Sequence, residues 1–493
     1  MKKLELTAIA LLVIFFSNCQ TSNQKEDQWN TLFDGTSLDG WQAAENEGSF
    51  YIEDSLLVCH GPRAHLFYQG NKENYKNFEL SADVMTKPGA NSGIYFHTAF
   101  QEKGWPAKGY EVQVNNSHKG THEYRELKKT GSLYAVRNLY NTFTNDNEWF
   151  NLKIKVEGKR VTVQVNDQMM VDYIEPANPV RNDNQQERIL SSGTFALQSH
   201  DPESKVYYKN IKVKKLPDNT DYDNAEPYLD EELNSAISHL HNIGFPLMDL
   251  HVHLKGDLTL EKAMDLSRKN GINYGIAINS GLDFPINTDE KLRNHIQENL
   301  EDHPVFKAMQ AEGREWTEIF SPEAISVFDY VFTDAMTFND LQGNRMHLWM
   351  PEEVHLTNKQ LFMDALTDTI VNIIKTEPID VYANATYLPD TLASEYNELW
   401  TQERMEKITD ELAAHNVAFE ISARYKIPNP AFIKMAKAKG VKFTFGTNNT
   451  DSNLGNLAYC LEMIEECKLV TEDMFIPEEN RDFRKKTEAM ATK

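Results

Sequence analysis

Two groups of side chains in this 493-residue chain have the types and the spacing for chemistry. In the run Asp249-Leu250-His251-Val252-His253 two imidazoles alternate at the end of an apolar stretch. Alternate residues of a strand share a face, so the two rings point the same way, and neutral imidazole nitrogens are ligands for a divalent cation. Acids and amides follow at the ends of later apolar runs, at Glu312, Asp334, Asn384 and Asn448. His251, His253, Glu312 and Asp334 are the expected ligands of one divalent metal ion, with Glu312 also a candidate catalytic carboxylate. Asn279, Arg314 and Arg424 lie close to these positions along the chain and are the expected substrate contacts, unless they are salt-bridged wall residues; Glu420 stands among them as a further polar neighbour.

The second group is nearer the N-terminus. Glu111 and Gln113, one residue apart in Tyr110-Glu111-Val112-Gln113, project to one face of a strand. A carboxylate beside an amide can hold sugar hydroxyls, and the carboxylate can move a proton. His200, two residues beyond Gln198 at the end of another apolar run, supplies a second candidate acid or base. Glu111, Gln113 and His200 are the expected catalytic residues, and Asn91, in a Gly-flanked turn, and Gln198 the expected substrate contacts.

Two kinds of element must position these groups. Residues 29–216 alternate short apolar runs with turn clusters, the pattern of a jelly-roll or concanavalin-like all-β sandwich. Phe78-Glu79-Leu80-Ser81-Ala82-Asp83-Val84 has a period of two, and so does Leu152-Lys153-Ile154-Lys155-Val156, which turns at Glu157-Gly158-Lys159. Residues 217–227, rich in Asp, Asn and Pro, mark a linker. From 228 to 480 strands alternate with helices, as an α/β (β/α)7 barrel requires, with strands expected at 247–250, 274–278, 305–309, 330–332, 379–382, 417–421 and 442–445. Gly271 and Gly440 follow helical patterns, where a left-handed cap belongs. The residues of the first group all fall at strand ends, which converge on the C-terminal mouth of such a barrel.

The first region carries a resemblance. Phe33-Asp34-Gly35 with Leu38 and Trp41, then Asn77-Phe78-Glu79-Leu80, Asn91-Ser92-Gly93-Ile94, Tyr110-Glu111-Val112-Gln113, Thr130-Gly131-Ser132-Leu133-Tyr134, Trp149-Phe150-Asn151, Ala196-Leu197-Gln198-Ser199-His200 and Lys209-Asn210-Ile211-Lys212-Val213 resemble, in order, the motifs of the 3-keto-disaccharide hydrolase family. The resemblance implies a concanavalin-like sandwich that cleaves glycosides whose sugar carries a 3-keto group. Such a ketone acidifies the C2 proton, so elimination and hydration need a base and a polarising group rather than two opposed carboxylates. Sandwiches of this shape also serve as binding modules, which is the competing reading. His97, after Gly93-Ile94-Tyr95-Phe96, departs from the Arg that many family members carry there.

Asp-x-His-x-His at the opening of a seven-stranded barrel resembles the PHP family of metal-dependent phosphoesterases, and Val441-Lys442-Phe443-Thr444-Phe445-Gly446 resembles its last strand. The family's later ligands are replaced: Asn384-Ala385-Thr386 stands for a His motif, and Thr447-Asn448-Asn449-Thr450 for Ser-Asp-Ala-His. Asn is a neutral oxygen donor, so the resemblance implies one ion rather than a cluster, or a barrel that has lost its chemistry and scaffolds a partner.

Composition narrows the partners. The formal charge of −24, from 74 Asp and Glu against 50 Lys and Arg, repels phosphate backbones and argues against nucleic acid. A carbohydrate or keto-sugar is the expected partner. Four cysteines are too few for a disulfide framework: Cys59 reads as a core thiol, and Cys460 and Cys467 as two buried thiols or one bridge. Lys2-Lys3 and the apolar run 4–16, ending in Ser17-Asn18-Cys19, resemble a lipoprotein signal. Residues 1–18 are then a signal peptide, Cys19 the lipidated N-terminus, 19–28 a tether and 481–493 a charged tail. The implied location is the envelope of a Gram-negative bacterium, with the membrane reached only through the lipid.

Overall fold

A computed structural model describes residues 28–477 except 71–73, 122–123, 340–342, 344, 355 and 357. Cys19, the run before it and the tail 481–493 lie outside the described residues. No described helix is long and apolar enough to cross a membrane.

The sandwich strands are β1 (Trp41–Glu45), β2 (Phe50–Glu53), β3 (Leu56–His60), β4 (Ala64–Tyr68), β5 (Phe78–Thr86), β6 (Ser92–Thr98), β7 (Tyr110–Val114), β8 (Phe150–Glu157), β9 (Arg160–Val165), β10 (Gln168–Ile174), β11 (Thr194–Ser199) and β12 (Lys205–Lys215). One sheet runs β10-β9-β8-β5-β12-β3-β2, with Asn30–Thr31 pairing β12, and the other runs β1-β4-β11-β6-β7. Every pairing in these sheets is antiparallel. Apolar residues of both sheets meet between them: Phe78, Leu80 and Val84 of β5, Ile94 and Phe96 of β6, and Tyr110, Val112 and Val114 of β7. With those three β7 side chains inward, the pleat turns Glu111 and Gln113 to the outer face of the five-stranded sheet.

Residues 217–227 are irregular and are held against the β8–β9 turn and strand β9. Lys159 N donates to Tyr222 O (3.1 Å), Arg160 Nη1 to the Tyr222 hydroxyl (2.6 Å), and the Tyr228 hydroxyl to Asp172 (3.0 Å).

The second region opens with α1 (Glu231–Asn242) and closes a seven-stranded parallel barrel from β13 (Met248–Val252), β14 (Asn273–Ser280), β15 (Phe306–Ala311), β16 (Tyr330–Thr333), β17 (Val381–Tyr382), β18 (Ala418–Ser422) and β19 (Phe443–Gly446). Helices α2 (Leu260–Asn270), α3 (Asp289–Asn299), α4 (Lys359–Thr376), α5 (Gln402–His415), α6 (Pro430–Ala438) and α7 (Ala458–Cys467) lie between and after the strands. Capping explains their ends: Asp230, Thr259 and Asn429 accept backbone N–H groups at the starts of α1, α2 and α6, and Gly271 closes α2 at φ 73°. Cys59, Cys460 and Cys467 are free and buried, so the reading of two thiols holds.

The barrel interior is packed with Met248, Leu250, Ala277, Phe306, Ala308, Tyr330, Phe332 and Val381, and the sandwich adds Tyr140 to that cluster. Tyr140 enters where the strands begin: its hydroxyl donates to Phe245 O (2.8 Å) and its N–H to Asn273 Oδ1 (3.1 Å). The sandwich therefore seals the N-terminal end of the barrel, opposite the mouth that carries His251 and His253.

Candidate functional site

A cleft of about 610 Å³ opens on the outer face of the five-stranded sheet, lined by Asn91, Glu111, Gln113, Gln198 and His200. All five sandwich residues expected to act or bind thus come together, although they span more than a hundred positions of chain. Register explains it. Tyr95 of β6 pairs with Glu111 of β7, and Ala196 of β11 with Tyr95, so Gln198 and Glu111 meet across β6. Gln198 Nε2 lies 3.2 Å from Glu111 Oε1 and 3.1 Å from the Tyr95 hydroxyl. Gln113 Nε2 donates to Asn91 Oδ1 at 2.6 Å. Gly93 leaves room beneath, since a Cβ there would stand 2.6 Å from Glu111 Oε1.

Gln198 Oε1 is buried with no hydrogen-bond partner among the described residues, an acceptor in the cleft wall that a ligand hydroxyl can satisfy. His200 sits at the rim with Nδ1 against Asp201 Oδ2 (2.7 Å), leaving Nε2 for the cleft side. Trp105 lies beside the His200 ring (centroids 5.5 Å apart) and remains 46% exposed, a flat apolar surface at the entrance.

Several cleft residues carried no sequence signal. Arg188 comes from the segment before β11 and brings a guanidinium nitrogen to 3.9 Å from Glu111 Oε2, while its Nη1 donates to Tyr134 O (2.9 Å) and its charge lies over the Tyr134 ring. Lys128 pairs with Glu126 at 2.9 Å on the same wall. Burial raises the pKa of Glu111; the Arg188 charge and the Tyr95 hydroxyl oppose that without cancelling it. His97 does not enter the cleft: its Nε2 donates to Lys76 O (2.8 Å) and its Nδ1 accepts from Ser191 N (3.2 Å). The guanidinium in this cleft is supplied from Arg188 instead.

At the barrel mouth the outcome differs. His251 and His253 are neighbours, ring centroids 5.1 Å apart, and three of their four ring nitrogens face protein acceptors. His251 Nδ1 donates to Glu420 Oε1 at 2.5 Å with Nε2 3.3 Å from Gln310 Oε1, and His253 Nδ1 faces Ala277 O at 3.2 Å. Burial alone would hold His251 neutral, yet the charge and hydrogen bond of Glu420 together with the charges of Asp249 and Asp334 outweigh it and raise its pKa. Gly446 makes room for that pair, since a Cβ there would stand 2.2 Å from Glu420 Oε1.

The expected acids are occupied by amides. Glu312 Oε1 accepts from Asn279 Nδ2 (2.6 Å) and Asp334 Oδ2 from Asn384 Nδ2 (2.7 Å), while Asn384 Oδ1 accepts from Asn448 Nδ2 (2.7 Å). Burial and the charge of Asp334 push the Glu312 carboxyl up to about 7, and burial raises Asp334 as well. Asn384 and Asn448 both have φ 45°, a left-handed conformation that Asn tolerates better than most residues.

His251, His253, Glu312 and Asp334 thus each have a hydrogen-bond partner within the protein. Among the described residues no three His, Cys, Asp or Glu side chains gather where one ion could be held. Of the expected substrate contacts there, Asn279 is turned to Glu312, and Arg314 forms an ion pair with Glu377 (2.9 Å) and donates to Thr333 Oγ1 (2.7 Å). Arg424 donates to Asn448 O at 3.2 Å. Arg314 is thus a wall residue held by an ion pair, the alternative its position left open.

No curated protein matches the chain. Among solved structures, a candidate glycosyl hydrolase from Parabacteroides distasonis is similar over 38% of this chain and 94% of its own, at 23% identity and a TM-score of 0.32. The carbohydrate-binding module CBM66 from Bacillus subtilis covers 36% of this chain and 96% of its own, at 13% identity and a TM-score of 0.25. Histidinol phosphate phosphatase from Lactococcus lactis, solved with zinc, L-histidinol and phosphate, covers 45% and 94%, at 16% identity and a TM-score of 0.34. Residues 28–214, which form the sandwich and the whole of its cleft, match the family model of the 3-keto-alpha-glucoside-1,2-lyase-like domain.

Proposed function

We propose that the sandwich cleft cleaves 3-keto-glycosides by elimination across C1 and C2, on a protein anchored to the cell envelope through Cys19. The observation that carries this reading is the meeting of Glu111, Gln113, Asn91, Gln198 and His200 in one cleft within the segment that matches the lyase-like family. Glu111, with a pKa raised by its burial, is the base that removes the C2 proton. The electron pair passes into the C3 ketone as an enolate, whose negative oxygen is stabilised by the Arg188 guanidinium.

Collapse of the enolate forms the C1–C2 double bond and breaks the C1–O bond. His200, oriented by Asp201, gives its proton to the departing aglycone oxygen. Water then adds across the double bond: His200, now neutral, takes a proton from it as its hydroxyl bonds to C1, Glu111 returns its proton to C2, and the products are the free 3-keto sugar and the aglycone, with both residues restored. Gln113, Asn91 and the free Gln198 Oε1 hold hydroxyls, and Trp105 receives the apolar face of a sugar ring. No step passes through the barrel mouth, which faces away from the docked sandwich.

The test is turnover of p-nitrophenyl 3-keto-α-glucoside by the purified chain, read as nitrophenol release, with the enone intermediate followed by its ultraviolet absorbance. Release without a transient enone would point to direct hydrolysis. Saturable binding with no release would make the cleft a binding module.

A further inference from the structure

Helix α1 and the N-terminal end of the barrel hold two sandwich segments, and both of those segments end in the cleft. The first runs from Tyr134 to Asn141. Tyr134 N donates to Glu111 O (2.9 Å), and its carbonyl receives Arg188 Nη1 (2.9 Å). Four residues on, Asn138 N donates to His241 Nδ1 (3.2 Å), Asn138 Nδ2 to His241 O (2.9 Å), and Asn273 Nδ2 to Asn138 O (3.0 Å). His241 Nε2 donates in turn to Gly271 O (2.9 Å), so the neutral ring is oriented from both sides.

The second segment runs from Val180 to Arg188. Asn242, the last residue of α1, donates from Nδ2 to Val180 O (2.9 Å) and accepts at its carbonyl from Asn182 Nδ2 (2.9 Å). Arg181 Nε bonds Arg188 O (2.6 Å), which closes this loop on itself just before the guanidinium that faces Glu111. Cleft and barrel are therefore joined by two hydrogen-bonded paths that meet at the contact between Arg188 and Tyr134.

We infer that the barrel is a positioning element of the sandwich site: Asn242 and Asn138 with its partner His241 fix the loops that place Arg188 against Glu111. The inference rests on reading the cleft as the reacting site, and it gives the barrel a role that requires no chemistry at its mouth. A guanidinium on a long side chain loses its alignment when its loop is released, and small displacements of a stabilising charge lower a rate steeply.

The test uses the full chain with Asn242→Ala, Asn138→Ala, Arg188→Ala and the combination of Asn242→Ala with Arg188→Ala. In Asn242→Ala, amide hydrogen exchange should rise across 182–188 while the barrel strands stay protected, and kcat/KM on p-nitrophenyl 3-keto-α-glucoside should fall about 10- to 100-fold. Asn138→Ala should do the same with exchange rising across 134–141. Because the effect runs through Arg188, Asn242→Ala should cost nothing further in the Arg188→Ala background. Unchanged exchange in the loops, unchanged kcat/KM once the loops are freed, or full multiplication of the two effects would each overturn the inference. A wild-type chain inert on the glycoside would instead end the lyase reading, and the exchange measurement would still decide whether the barrel holds these loops.

Discussion

Arg188 stands 3.9 Å from the Glu111 carboxylate in the wall of the sandwich cleft, a cation brought to a buried acid from a segment 77 positions away in sequence. The separation allows attraction without the short bidentate contact that would pull its pKa down and weaken it as a base. Glu111 accordingly keeps a raised pKa, as a base for a carbon acid requires.

Replacing the base should separate chemistry from folding. Glu111→Gln keeps the shape and the contact with Gln198, and is expected to lower kcat/KM for a 3-keto-glycoside about 100- to 10,000-fold with the melting temperature nearly unchanged. Steady-state kinetics and a thermal melt check it; a fully active variant removes Glu111 from the mechanism.

The pH profile carries a sign. Glu111 works as the carboxylate, so kcat/KM should climb as pH rises through its raised pKa, with the acid limb above the usual carboxylate range. Arg188 favours the ionised form, so Arg188→Ala should move that limb to still higher pH while lowering the plateau. A profile whose acid limb stays in place in Arg188→Ala would show that Glu111 is not the group being titrated.

At the other end of the molecule, His251→Ala leaves the buried Glu420 carboxylate without its cation. Removing one partner of such a pair costs about 3–5 kcal/mol, so a clear drop in denaturant midpoint is expected. Glu420→Gln, which keeps a hydrogen-bond acceptor for His251, should be less damaging.

The engagement of Glu312, Asp334 and both histidines within the protein bears on metal. Dialysis against a chelator is expected to leave the melting temperature and the cleft activity unchanged, because these groups are held by hydrogen bonds to protein partners. Stoichiometric zinc or manganese in elemental analysis of the untreated protein, with destabilisation on its removal, would refute this.

The proposed anchoring rests on Cys19. Cys19→Ala should move the protein from the membrane pellet to the soluble fraction, since the lipid is its expected tether. A variant that still sediments with washed membranes contradicts the lipoprotein reading.

The sequence by itself determined the two architectures and much of the cleft. Period-two alternation in runs such as 78–84 and 152–156 and the seven apolar runs of the second half are local signals, and the strands form where those signals stand. The same alternation put Glu111 and Gln113 on one face, and the ordered motifs marked Asn91, Gln198 and His200. Tertiary structure alone decided the rest, because it depends on contacts between residues remote in the chain. Arg188 enters the cleft from a loop with no periodicity, held by Asn242 of the following region. His251 and His253 have the spacing of metal ligands, but spacing is silent about what approaches from other strands. Glu420, 169 residues away, reaches His251, and Asn279 and Asn384 donate to the Glu312 and Asp334 carboxylates.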